Sequence, residues 1–138
     1  MALQTILHGG QQFATDETTH ALAVTPVLPE IKHAAIDCAA SGDNTLLAAV
    51  PGKAHCVLNM HCQIGDGATG TLYSGPSATG TKLQGAVPPD ADGGGFVLGG
   101  KDQSGVPWFE TAVGEALVLN LSAAIQASGS LTYFEQEG

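Results

Sequence analysis

Residues 108–122 read W-F-E-T-A-V-G-E-A-L-V-L-N-L-S and hold the one tryptophan of the chain. The stretch breaks at Gly114-Glu115, then runs Ala116-Leu117-Val118-Leu119-Asn120-Leu121 into Ser122. Successive side chains of an extended strand point to opposite faces, so Leu117, Leu119 and Leu121 share one face and Val118 and Asn120 the other. Three leucines on one face predict a core strand of an all-β domain. The clearest alternation in the chain points the same way. Over residues 54–64, Ala54, Cys56, Leu58, Met60, Cys62 and Ile64 fall on one side, and His55, Val57, Asn59, His61 and Gln63 on the other. That pattern predicts a half-buried antiparallel strand with one wet face.

Outward from these two strands, turn residues punctuate the chain at short intervals. Ser41-Gly42-Asp43-Asn44, Gly65-Asp66-Gly67 and Gly75-Pro76-Ser77 are turn signals, and Pro51-Gly52 stands in type II order. Short strands are predicted at 34–40, 45–50, 71–73, 96–98 and 131–135, with Lys82-Leu83 at most a brief one. Residues 88–95 and 99–106 read as loops. Ser122 is placed to cap a single helical turn over 123–127, and Ser128-Gly129 to turn the chain before the last strand. The sum is a jelly-roll-like antiparallel β-sandwich of about eight short strands over residues 34–138. Residues 1–33 follow no sustained period. They read as an extended N-terminal arm with one strand near 21–24, because Pro26 and Pro29 oppose regular pairing. The arm packs on its own domain or reaches a neighbouring subunit; in the second case Val27 and Leu28, between the prolines, are its anchors, and Ile6, Leu7 and Phe13 are further interface candidates.

At 138 residues the chain suits one domain with a real core. Charged residues make up 12 %, against about a quarter in typical domains, and there are 19 glycines and seven prolines. Few charges and many turn formers suit short strands, and a charge-poor surface suits a protein docked on a partner. Thirteen acids face four lysines and no arginine, for a net charge of −9. Nucleic-acid binding needs a basic footprint, so no nucleic-acid partner is expected, nor an anionic membrane. No stretch approaches the roughly 20 apolar residues of a membrane helix. Cys38, Cys56 and Cys62 are odd in number and form no disulfide framework, which suits synthesis in a reducing cytoplasm. The first residues lack the basic and apolar regions of a signal peptide.

No catalytic residue, metal or cofactor is expected. Cys56 and Cys62 sit on the order of 20 Å apart along one strand, too far to share a zinc ion, and the histidines beside them fall on the other face. Asp90-x-Asp92-Gly93 is an uncompleted fragment of a calcium loop, and Gly93-Gly94-Gly95 lacks the lysine of a phosphate loop. Residues 75–79 lack the second glycine of a nucleophile elbow. Trp108-Phe109 fits a core or subunit interface, or a sugar-stacking platform. The exposed faces therefore supply the candidate interface: His55, Val57, His61 and Trp108, with the anchors of the arm.

Several stretches in order resemble a known family. They are residues 41–45 (S-G-D-N-T), 49–53 (A-V-P-G-K), 83–86 (L-Q-G-A), 94–98 (G-G-F-V-L), the opening stretch 108–122, and 123–133. Together they span about three-quarters of the chain, and they resemble the capsid cement, or decoration, proteins of tailed phages. The resemblance implies a jelly-roll-like sandwich, a homodimer, and a place on the outer surface of the icosahedral head, where the protein bridges major capsid protein subunits and reinforces the shell. Related sequences are similar to modules of tail or fibre proteins. The alternative is therefore a receptor- or glycan-binding module using Trp108, Tyr73 and the glycine loops. Residues 1–33 fall outside the resemblance.

Overall fold

The computed structural model describes residues 5–8, 11–15, 22–23, 29–87, 93–99 and 106–138. The strands are β1 (Thr5–His8), β2 (Gln11–Thr15), β3 (Leu22–Ala23), β4 (Lys32–Cys38), β5 (Gly42–Leu47), β6 (Lys53–Ile64), β7 (Gly70–Ser74), β8 (Thr81–Lys82), β9 (Gly94–Leu98), β10 (Phe109–Glu110), β11 (Leu117–Leu121) and β12 (Ala127–Glu137). No helix occurs among the described residues. The helical turn expected over 123–127 is a bend that leads straight into β12.

Strands β4 to β12 build an antiparallel sandwich, as the turn spacing predicts. The first sheet has the order β10-β6-β12-β4, with β9 also pairing β6, and the second has the order β5-β11-β7-β8. The chain crosses between sheets after β4, β5, β6, β8, β10 and β11, which is jelly-roll connectivity. Strand β6 is twelve residues long. β12 lines one side of it, while β10 pairs at Cys56 and Val57 and β9 at Met60 to Ile64 on the other. The tight turn before β6 is the expected one: Gly52 has φ of 76°, and the Lys53 amide donates to the Val50 carbonyl at 3.1 Å.

The core lies between the sheets. Leu117, Leu119 and Leu121 are fully buried, as their alternation predicts, and pack with Leu47 and Leu72. The first sheet contributes Ile36, Val57, Met60, Cys62, Ile64, Ala127 and Leu131.

Three expectations need correction. Residues 5–8, 11–15 and 22–23 pair as a three-stranded antiparallel sheet in the order β1-β2-β3, so the strand expected near 21–24 is joined by two that were not expected. Ser128-Gly129 does not turn the chain but lies within β12. The third concerns the wet face of residues 54–64. The β6–β12 register runs Thr132↔Asn59 and then Tyr133↔Val57, which leaves Leu58 as an extra residue. Such a bulge shifts the alternation by one. Met60, Cys62 and Ile64 therefore face the core on one side of it and Val57 on the other. His55, two residues from Val57, turns inward with it, and both are at most 2 % exposed. His55 and Val57 are thus interior residues, not interface residues.

Candidate functional site: the outer face of the first sheet

Beyond the bulge the outer face of the first sheet is solvent-facing. Its rows follow from the pairing. Val97, His61, Ser130 and Ala35 lie side by side across β9, β6, β12 and β4. Asn59, Thr132 and His33 form the next row, and Gly95, Gln63, Ser128 and Asp37 the row on the other side. Ser, Thr, Asn and Gln alternate here with core residues because β12 reads S-G-S-L-T and β6 reads N-M-H-C-Q. The Ser130 hydroxyl lies 3.4 Å from His61 Nδ1, and the Thr132 hydroxyl 3.2 Å from His33 Nδ1. Gln126 Nε2 donates to Asp37 Oδ1 at 2.7 Å. Asp37 is the one carboxylate in these three rows. A shallow depression of about 240 Å³ is lined by Asn59, His61, Val97, Gly99, Ser130 and Thr132, with Met60, Leu98 and Leu131 beneath. Val97 is 77 % exposed beside it.

The sequence-based candidates fare differently. His61 is on this face and exposed. Trp108 leads into β10 and is 45 % exposed. Ile6 and Leu7 lie in β1 and Phe13 in β2, where Ile6 pairs with Phe13. Val27 and Leu28 lie outside the described residues. Ser130, Thr132, Asn59 and Val97 were not singled out from the sequence. The alternation of Ser130 and Thr132 with the leucine and tyrosine around them was their available signal.

His55 has a structural role in the sandwich interior. Its Nε2–H donates to the Ala48 carbonyl at 2.8 Å, its amide donates to Thr111 Oγ1 at 2.9 Å, and the Tyr133 ring meets it edge-on at 5.7 Å. The imidazole thus ties β6 to the chain leaving β5. The cysteines are poor nucleophiles: burial pushes the thiols of Cys56 and Cys62 up to about 11, with Glu110 adding to the first and Cys38 to the second. Cys38 is raised too, by burial and then by Asp37. No group of three His, Cys, Asp or Glu side chains able to hold a metal occurs among the described residues. No helix of the described residues is long and apolar enough to cross a membrane.

Carboxylates away from this face give a pH dependence. Glu135 pairs with Lys32 at 3.1 Å and Lys53 at 3.7 Å, and the hydrogen bond from Lys32 holds its carboxyl below the ordinary 4.5. Asp43 is lowered first by the Ser77 side chain, then by Asn120, whose side-chain amide donates at 2.7 Å, and then by the Ser77 backbone amide, which donates at 2.9 Å. A carboxyl whose folded value lies below its unfolded one stabilises fully above the unfolded value and loses that effect as pH falls through the folded value. The urea midpoint is therefore expected to drop on acidification below about pH 4.5. Glu135→Gln should lower the midpoint at pH 7 and flatten the acid slope. An unchanged slope would remove Glu135 from the account.

No protein-family model, no curated protein and no solved structure matches this chain.

Proposed function

We propose that the chain is a structural virion protein that binds the outside of a tailed-phage head as a cement protein, bridging and stabilising major capsid protein subunits. The sequence resemblance suggests the role. The observation that carries it is the outer face of the first sheet, a surface across β9, β6, β12 and β4 made mainly of Ser, Thr, Asn, Gln and His side chains with a single carboxylate, Asp37. Interface cores are depleted in charge, and short hydroxyl and amide side chains lose little rotamer freedom when covered. Four strands span about 19 Å. Such a patch falls short of the roughly 800 Å² per partner of a standard interface. Attachment would therefore be modest per site and gain strength from many copies, as reinforcement of a repeating shell requires. The net charge of −9 suits basic patches on the shell and makes attachment salt-sensitive.

The test is add-back of purified chain to heads that lack it, followed by sedimentation. Wild-type chain should co-sediment with the heads. Ser130→Arg places a long cation in the centre of the face without touching the core, and should weaken binding by about tenfold or more, equivalent to 1.4 kcal/mol. Equal binding by the two proteins would move the docking site elsewhere.

The glycan-binding reading draws on the depression beside Val97, where Asn59, His61, Ser130 and Thr132 offer amide, imidazole and hydroxyl groups. A glycan-binding fibre module would lose sugar binding in Ser130→Arg and leave heads undecorated by either protein.

A further inference from the structure

On the β10 side of the bulge, the first sheet carries an outward site that the docking rows do not use. Val57 and Phe109 pair across β6 and β10 and pack on the core side. Alternation therefore sends Trp108 and Glu110 to the outer side, with Cys56 opposite Glu110. The Trp108 amide donates to the Val57 carbonyl at 2.9 Å, which holds the tryptophan in line with the strand. Two residues apart on a strand, Trp108 and Glu110 stand about 7 Å from each other. Both are exposed, as is Gln136 on β12. Cys56 lies fully buried beneath them, and two oxygens converge on its thiol: Glu110 Oε2 and Gln136 Oε1 are each 3.6 Å from Sγ. Burial, and after it Glu110, push this thiol up to about 11, so it keeps its proton at pH 7. A thiol has one weakly donated proton. It serves one of the two oxygens and leaves the other in want of a donor from outside. The lysines of the described residues are engaged elsewhere: Lys32 and Lys53 pair with Glu135 and Glu137, and Lys82 lies over the Tyr73 ring.

We propose that Trp108, Glu110 and Gln136 form a clamp for an arginine side chain presented by a partner protein. The guanidinium stacks on the exposed indole, a contact made within about 6 Å of the ring centre. Its N–H fork meets the Glu110 carboxylate, and a further N–H reaches the Gln136 side-chain carbonyl. Arginine fits this site better than lysine. Its plane matches the ring, its five donors can serve both acceptors at once, and it gives up hydrating water more easily than an ammonium. Thirteen acids against four lysines draw a basic surface toward the chain, and the chain has no arginine of its own to fill the clamp. Tryptophan and arginine are also the residues in which binding energy concentrates at protein interfaces. The clamp rests on the head-binding reading only for the identity of its partner. On that reading the arginine belongs to the capsid subunit, and the clamp anchors the margin of the docking face.

The single tryptophan reports on the site directly. N-acetyl-arginine amide, titrated at millimolar concentrations and constant ionic strength into the full ¹⁵N-labelled chain, should shift the indole N–H resonance to saturation. N-acetyl-lysine amide should bind more weakly, and N-acetyl-citrulline amide, of the same shape without the charge, should leave the resonance in place. Glu110→Gln keeps the side-chain shape and an acceptor for the thiol, and should weaken arginine binding by about threefold or more. Asp66→Asn removes an exposed carboxylate just past the far end of β6 and should change nothing, which separates the clamp from the general acidic field. No shift with arginine, an equal shift with citrulline, unchanged binding in Glu110→Gln, or equal weakening in Asp66→Asn would overturn the clamp and leave head binding standing. A saturable arginine shift that Glu110→Gln weakens, in a chain that does not bind heads, would uphold the clamp and remove the capsid as its partner.

Discussion

Gly129→Val is expected to cost about 4 kcal/mol or more, enough to leave most of the chain unfolded or insoluble. Gly129 sits in β12 between Ile36 of β4 and Cys62 of β6, in the middle of the first sheet. A Cβ built there falls on the His61 carbonyl oxygen and crowds the backbone of Cys62, closer than real contacts allow. The obstacle is main chain on a paired strand, so no rotamer change relieves it. Either β6 and β12 separate or the ladder is lost around them, and β6–β12 is the longest pairing among the described residues. Gly85→Ala is the control, since nothing lies within 4 Å of its added Cβ. It should change stability by no more than about 0.5 kcal/mol in urea unfolding. If Gly129→Val unfolds at the wild-type midpoint, the close approach of the two strands is wrong.

Leu119→Ala should destabilise by about 3 kcal/mol, within the range for truncating a buried leucine. Leu119 is at the centre of β11, flanked by β5 and β7, and is fully buried. Its facing layer includes Ile64, Met60 and Leu131, all held in strands and unable to collapse freely into a cavity. For a sandwich of about 100 residues the loss corresponds to a Tm lower by roughly 12–20 °C. Calorimetry reads this directly. Asn120→Ala, the next residue on the outer face, removes only the hydrogen bonds to Asp43 and Ser77 and should cost much less. Equal effects at the two positions would contradict the inward orientation of the leucines.

The two strands that lead the sequence reading show what local pattern encodes. In β11 a period of two and a glycine break suffice: the three leucines mark the core face, while the other face carries the covered Val118 and the half-buried Asn120. In β6 the same period misleads. The bulge at Leu58 arises from how β6 matches β12, a non-local fit that no residue near it announces. It sends His55 and Val57 inward and leaves His61 outside. Gly129 misleads in the opposite direction. Ser-Gly is ordinary turn chemistry, and only the approach of β6 makes the glycine a strand residue. The outer face was half legible. His61 was identified as exposed, but its neighbours across β12, β4 and β9 come together only through pairing. The strands at residues 5–8 and 11–15 escaped because short pieces without a sustained period look alike in an arm and in a small sheet.

A cement protein is defined by its stoichiometry on the particle, and that number tests the central claim most directly. Under the proposed role, intact phage heads purified by gradient sedimentation and quantified by mass spectrometry are predicted to carry the chain in copies comparable to the major capsid protein. Its presence only in a few copies per particle, with the tail rather than the head, would contradict the account and favour a fibre module.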